Sequence, residues 1–188
     1  MKRLVFALLF TALLCSSAFG ASETELARMG TFISNFTELR MYNINRDSIS
    51  PEELVFFGTW HNAVNNYNSR IRVRQNSKHG SLLISKKFVA ETVKKYFNID
   101  LEHTSTDDAY YDGKDYHFSH ADGDPVYYAD VQEVSRKGNI ITMRGELYSS
   151  EDEDYRPADF TARARPFKYG GKNTWYLLSL DTKWREEQ

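Results

Sequence analysis

The chain has 188 residues, with 24 Lys and Arg against 26 Asp and Glu for a formal charge of −2, and a single cysteine. One cysteine excludes a disulfide framework or a thiolate metal cluster, and the mild acidity argues against a nucleic-acid binder, which would carry a basic patch. The length fits one domain with room for a real core.

Residues 1–20 read as a secretory signal. The bases Lys2 and Arg3 precede an apolar run from Leu4 to Leu14, and small residues then lead to Ala18-Phe19-Gly20, where cleavage falls after Gly20 or Ala18. The run is too short for a membrane span. Cys15 follows Leu14, whereas a lipidated cysteine follows a small residue, so a lipoprotein is not expected. Without this segment the chain keeps 22 bases against 26 acids, a charge of −4, and no thiol. The short signal points to bacterial export, with a periplasmic or secreted location and one domain over residues 21–188. No later segment is apolar for long enough to span a membrane.

Helical signals dominate residues 23–97. Leu26, Met29, Phe32, Ile33, Phe36 and Leu39 recur at steps of three and four and form one helical face. Ser50-Pro51-Glu52-Glu53 is a helix start with a capping residue, proline in the first turn and a glutamate placed to complete a capping box. Ile49 and Leu54 can staple that start, and the helix should continue to about Tyr67. A third start falls at Ser85, with Phe88, Val89, Val93, Tyr96 and Phe97 on one side and Lys86, Lys87, Glu91, Lys94 and Lys95 on the other. Between these helices, Arg70 to Arg74 reads equally as a short strand or an extended linker.

The period changes to two over residues 108–184. Tyr116 to His120, Val126 to Ser135, Ile140 to Ser149, Ala158 to Phe167 and Thr174 to Trp184 are rich in aromatic and β-branched residues. Glycine-bearing turns separate most of them, and the connections are too short for crossover helices, so neighbours should be antiparallel. The expectation is an α+β domain, with about three N-terminal helices packed on a curved antiparallel β-meander of about five strands. In architecture this resembles the NTF2-like and cystatin-like scaffolds, which host both binding proteins and enzymes. Alternation predicts an apolar lining of Ile141, Met143 and Leu147, then Phe160, Ala162 and Ala164, then Tyr176, Leu178 and Leu180. Arg144, Glu146, Arg163 and Arg165 should lie on the opposite face.

The densest polar stretch is residues 103–124, with His103, His117 and His120 among six aspartates. Imidazole with carboxylate is the ligand set of zinc and related divalent metals, and His117, His120, Asp122 and Asp124 are the candidate ligands. Residues three apart on a strand face opposite ways, so this set requires the strand to end near Ser119. The plainer expectation is that the aspartates build turns. Glu151 to Asp154 are four adjacent acids expected in a solvated loop. Arg144, Arg163 and Arg165 form a stripe able to receive an oxyanion, although Glu133 and Glu146 are placed to neutralise it across strands. His61 faces roughly with Phe57 and Val64, which suits a core or interface position. The nucleophile elbow, the zinc-protease helix and the phosphate-loop and dinucleotide fingerprints do not occur.

Tyrosines cluster near strand ends, where a part-dry, part-wet surface suits binding. The leading expectation is therefore an exported, non-catalytic domain that binds a small molecule or protein partner through a curved sheet. Tyr128, Arg144, Tyr148, Arg163, Arg165 and Tyr176 are its candidate ligand-binding residues. The alternatives are a metal-dependent protein or hydrolase using the 103–124 cluster, and a structural or assembly protein of the cell envelope.

Overall fold

The computed structural model describes residues 21–75, 77–119 and 126–185. The elements in chain order are α1 (Glu23–Thr37), β1 (Ile44–Asn45), α2 (Pro51–Asn65), α3 (Tyr67–Arg70), β2 (Ile71–Val73), β3 (Leu82–Ser85), α4 (Lys86–Phe97), β4 (Tyr110–Tyr111), β5 (Asp115–Phe118), β6 (Tyr127–Lys137), β7 (Ile140–Ser149), β8 (Ala158–Tyr169) and β9 (Lys172–Trp184). The domain is α+β, with two antiparallel sheets ordered β1-β9-β8-β7-β6 and β2-β3-β5-β4. No described helix is long and apolar enough to cross a membrane.

Local chemistry accounts for the helix starts. Ser22 accepts the Glu25 N–H at 3.2 Å and caps α1. At α2 both halves of the capping box are present: Glu53 N–H donates to Ser50 Oγ at 3.1 Å, and Ser50 N–H donates to the Glu53 carboxylate at 2.8 Å. α4 ends at Asn98, which takes the left-handed conformation at φ 52° and returns its N–H to Lys94 O.

Two features differ from the expected single meander. The segment beginning at Tyr116 does not join the long strands. It forms β5, whose Tyr116 and Phe118 are buried beside Leu82 and Ile84 of β3. In the sequence that partner looked like the lead-in to a helix. The fifth strand of the large sheet is instead β1, two residues paired with Leu180 and Ser179 and too short to show any period. Among the described residues the helix count rises to four because Asn66 O accepts the N–H groups of Ser69 and Arg70, closing the single turn α3. Of the ambiguous stretch Arg70 to Arg74, Arg70 ends α3 and Ile71–Val73 form the edge strand β2.

The large sheet buries Ile141, Met143 and Leu147 of β7 and Phe160, Ala162 and Ala164 of β8 against α1, α2 and α4, as alternation predicts. β9 departs from the pattern. The register slips between Arg163 and Ala164, whose partners are Ser179 and Leu177, and leaves Leu178 as an extra residue. The buried residues of β9 are therefore Trp175, Leu177 and Leu180, while Tyr176 and Leu178 leave the inner row. Glu151 to Asp154 are exposed, as expected of a solvated loop.

β6 is an edge strand, and α1 lies along it. Gly30, Ser34 and Thr37 lie on one face of α1 and let the helix approach the strand backbone closely. A Cβ on Gly30 would sit 2.7 Å from Ala129 O. Ser34 Oγ accepts the Ala129 N–H at 2.9 Å, and Thr37 Oγ1 donates to Tyr127 O at 2.6 Å. The helix thus satisfies edge groups that would otherwise template another strand. Ser34→Ala strands the buried Ala129 N–H and is expected to cost about 1–3 kcal/mol, read from urea denaturation. An unchanged unfolding free energy would show that water reaches this N–H.

Candidate functional site

The same helix and strand border a cleft of about 700 Å³, which extends to the end of α2 at Asn65 and to Tyr148 on β7. Glu23, Glu38 and Asp130 supply carboxylates, Thr31, Ser34, Asn35 and Asn65 supply uncharged polar groups, and among the described residues no Lys, Arg or His lines it. Leu26, Ala27 and Val131 give it apolar surface. Tyr128 and Tyr148 face each other directly across β6 and β7 with ring centroids 5.8 Å apart.

At one end the cleft meets a buried polar cluster drawn from three helices. The Glu38 side chain is only 10% exposed and accepts a hydrogen bond from Asn65 Nδ2. The same amide nitrogen lies 3.2 Å from His61 Nδ1. Its two hydrogens serve the two acceptors, which leaves His61 Nδ1 unprotonated and the ring neutral. The 3.9 Å approach of Glu38 to His61 is accordingly not an ion pair. The His61 ring stacks on Phe57 at 5.3 Å and meets Tyr96 edge-on at 4.7 Å.

Burial tunes this cluster. It pushes the Glu38 carboxyl above its usual range, partly opposed by the Asn65 hydrogen bond. It depresses His61 to about 3, helped by the positive charges of Lys95 and Arg70. Lys95 is lowered by burial and by Arg70 and Lys172, and Tyr96 is raised by burial and by Glu38. Tyr96 hydroxyl donates to Asn35 Oδ1 at 3.0 Å and lies 3.1 Å from Lys95 Nζ, so the chain of contacts reaches back to the cleft wall. Perturbed ionisable groups beside a cleft are the usual mark of a functional site. With His61 neutral and tied at Nδ1, the chemistry on offer is hydrogen bonding and negative charge.

The six expected ligand-binding residues do not come together. Tyr128 and Tyr148 line the cleft. Arg163, Arg165 and Tyr176 border a separate groove with Arg46, and Arg144 lies in a third depression beside Gln132 and Glu133. The expected neutralisation of the arginine stripe is also absent. Glu146 is bonded to Arg185 and lies 3.9 Å from Arg156, and among the described residues no carboxylate comes within 4.0 Å of Arg144, Arg163 or Arg165. Glu133 stands opposite Arg144 in register without forming an ion pair.

Of the candidate metal ligands, only His117 lies within the described residues. Its strand ends at Phe118, and its Nε2 is 2.8 Å from Asp112 Oδ2, with the ring largely buried. The Asp112 carboxyl is held well below its usual range by the Asp115 N–H, by His117 and by the Lys114 N–H. His120, Asp122 and Asp124 lie outside the described residues. Among the described residues no group of three or more His, Cys, Asp and Glu is placed to hold a metal ion.

Glu38, Asn65 and Asn35 were missed because each belongs to a different local pattern. The pairs Asn35/Glu38 and His61/Asn65, spaced three and four along their helices, were the available signal: each puts two polar groups on one helical face. Comparison with protein-family models, with curated proteins and with solved structures gives no match for this chain.

Proposed function

We propose that the chain is an exported, non-catalytic binding domain that takes a small ligand bearing a positively charged ammonium group in the cleft between α1 and β6. The observation that carries this reading is a cleft of about 700 Å³ with three carboxylates, two facing tyrosines and, among the described residues, no basic side chain in its lining. Carboxylates attract a cation, and the Tyr128 ring adds a cation–π contribution of about 0.5–2 kcal/mol, while the Tyr148 ring already carries the Arg156 guanidinium at 4.9 Å. Glu38, at the buried end, is the group whose charge such a ligand would draw out: a bound cation lowers a carboxyl that burial has raised. Export rests on Lys2, Arg3 and the apolar run to Leu14, residues outside the described structure.

The test is titration of the purified protein with choline and with putrescine, followed by amide chemical shifts. The expected result is saturable shifts at Tyr128, Tyr148 and Glu38 that are lost in the double variant Tyr128→Ala/Tyr148→Ala. Leu26→Trp, which fills the cleft, should block binding as well. Silence from both compounds, or undiminished binding by the Leu26→Trp protein, would overturn the reading.

A further inference from the structure

On the face of the large sheet turned away from the helices, Arg163 and Arg165 are exposed and stand two residues apart on β8. Side chains two apart on a strand share a face, so two like charges are held side by side. Each is without a carboxylate within 4.0 Å among the described residues. They border a groove of about 460 Å³ that also takes in β9 around Tyr176 and Ser179, and the Asn45–Asp47 segment. In register, Arg165 stands opposite Tyr176 and Arg163 opposite Ser179.

Arg46 in that segment is already committed. Its Nε donates to Phe97 O at 2.6 Å and its Nη2 to Asn98 O at 3.2 Å, at the negative end of α4. Its guanidinium lies over the Tyr176 ring at 5.5 Å, and Asp47 sits 3.5 Å from its Nη1. Asp47 therefore answers Arg46. Among the described residues the one other acid bordering the groove is Asp181, opposite Thr161 in register, and it forms an ion pair with neither Arg163 nor Arg165. The Leu178 bulge contributes as well: it turns Tyr176 out of the inner row, to the side on which Ser179 and the arginines stand.

We propose that this groove binds the phosphate group of a small molecule, bridged between Arg163 and Arg165. A guanidinium presents paired donors that suit two oxygens at once, and a dianionic phosphate has oxygens enough for both forks and for the Ser179 hydroxyl. A carboxylate has two oxygens and one charge, and it satisfies one fork. The bound phosphate relieves the repulsion between the two arginines. This site is separate from the cleft and stands or falls independently of it.

The experiment is calorimetric titration of the purified protein with inorganic phosphate, and with acetate as the carboxylate comparison. Phosphate is expected to bind more tightly than about 1 mM at low salt, and more tightly than acetate. Arg163→Gln and Arg165→Gln should each weaken it about tenfold or more. Both side chains are exposed and should be dispensable for folding. Arg144→Gln, on the same face but outside the groove, should leave binding unchanged. No measurable phosphate binding, equal affinity for acetate, or an equal loss in the Arg144→Gln protein would overturn the proposal.

Discussion

Replacing Gly145 with alanine is expected to destabilise the domain by about 4 kcal/mol or more, among the largest effects a single methyl can have. Gly145 is buried in β7, opposite Val131 on one side and Phe160 on the other. A Cβ built there lies 1.8 Å from Asp130 O, 2.9 Å from Asp130 C and 3.0 Å from Val131 Cα. Overpacking ordinarily costs about 1–3 kcal/mol because side chains can turn aside. Here the obstacle is backbone on both counts. It lies beside the register shift between Val131 and Glu133, where β6 carries an extra residue and its carbonyl leans over the glycine. The methyl can be housed only by separating β6 from β7, which would also pull β6 away from the α1 residues that seal its edge. Gly138→Ala is the control. That turn residue has open space around it but a φ of 59°, and alanine there should cost only about 1–2 kcal/mol. For a chain of this size the difference should lower Tm by roughly 5–10 °C in the Gly145→Ala protein relative to the control. Equal melting temperatures would mean that the bulge does not sit where the register puts it.

Such close approaches are where the sequence was hardest to read. The capping box at Ser50, the apolar face of α1 and the buried rows of β7 and β8 were legible because each depends on residues within a few positions of one another. The bulge at Leu178 was not, since Tyr176, Leu178 and Leu180 alternate faultlessly as a string. The slip shows only in the pairing across the ladder, where Arg163 meets Ser179 and Ala164 meets Leu177. β5 was recognised as a strand but assigned to the wrong sheet. Its mate, Leu82 to Ser85, is a short apolar run whose strand character depends on a partner about thirty residues away. The candidate site follows the same rule. Tyr128 and Tyr148 could be named because strand-end tyrosines stand out, and their neighbour Glu38 could not. Nothing around Glu38 in the chain shows that Asn65 and His61 will close over it.

That closure gives the second large prediction, a dependence of stability on pH carried by His61. The folded protein keeps the imidazole neutral down to about 3, against an ordinary value of 6.5 that applies once the chain unfolds. Between those values the unfolded state binds the extra proton, so stability rises with pH. The contribution is complete above pH 6.5 and is lost as pH falls through the window toward 3. Glu38 works in the opposite sense. Its carboxyl is raised above 4.5, so its contribution is complete below 4.5 and is lost as pH rises through its folded value. The two slopes therefore oppose each other only above pH 4.5, and below it His61 acts alone. His61→Phe keeps an aromatic ring against Phe57 and removes the proton acceptor, while the exposed Asn65 amide turns its freed hydrogen to water. Urea denaturation of both proteins at pH 7 and pH 4 should show the native sequence losing about 3 kcal/mol more than the variant over that interval. Parallel pH profiles would mean that the imidazole titrates normally in the folded state. The buried cluster would then be wetter than its geometry implies, and Glu38 would lose the desolvation that makes it the responsive end of the cleft.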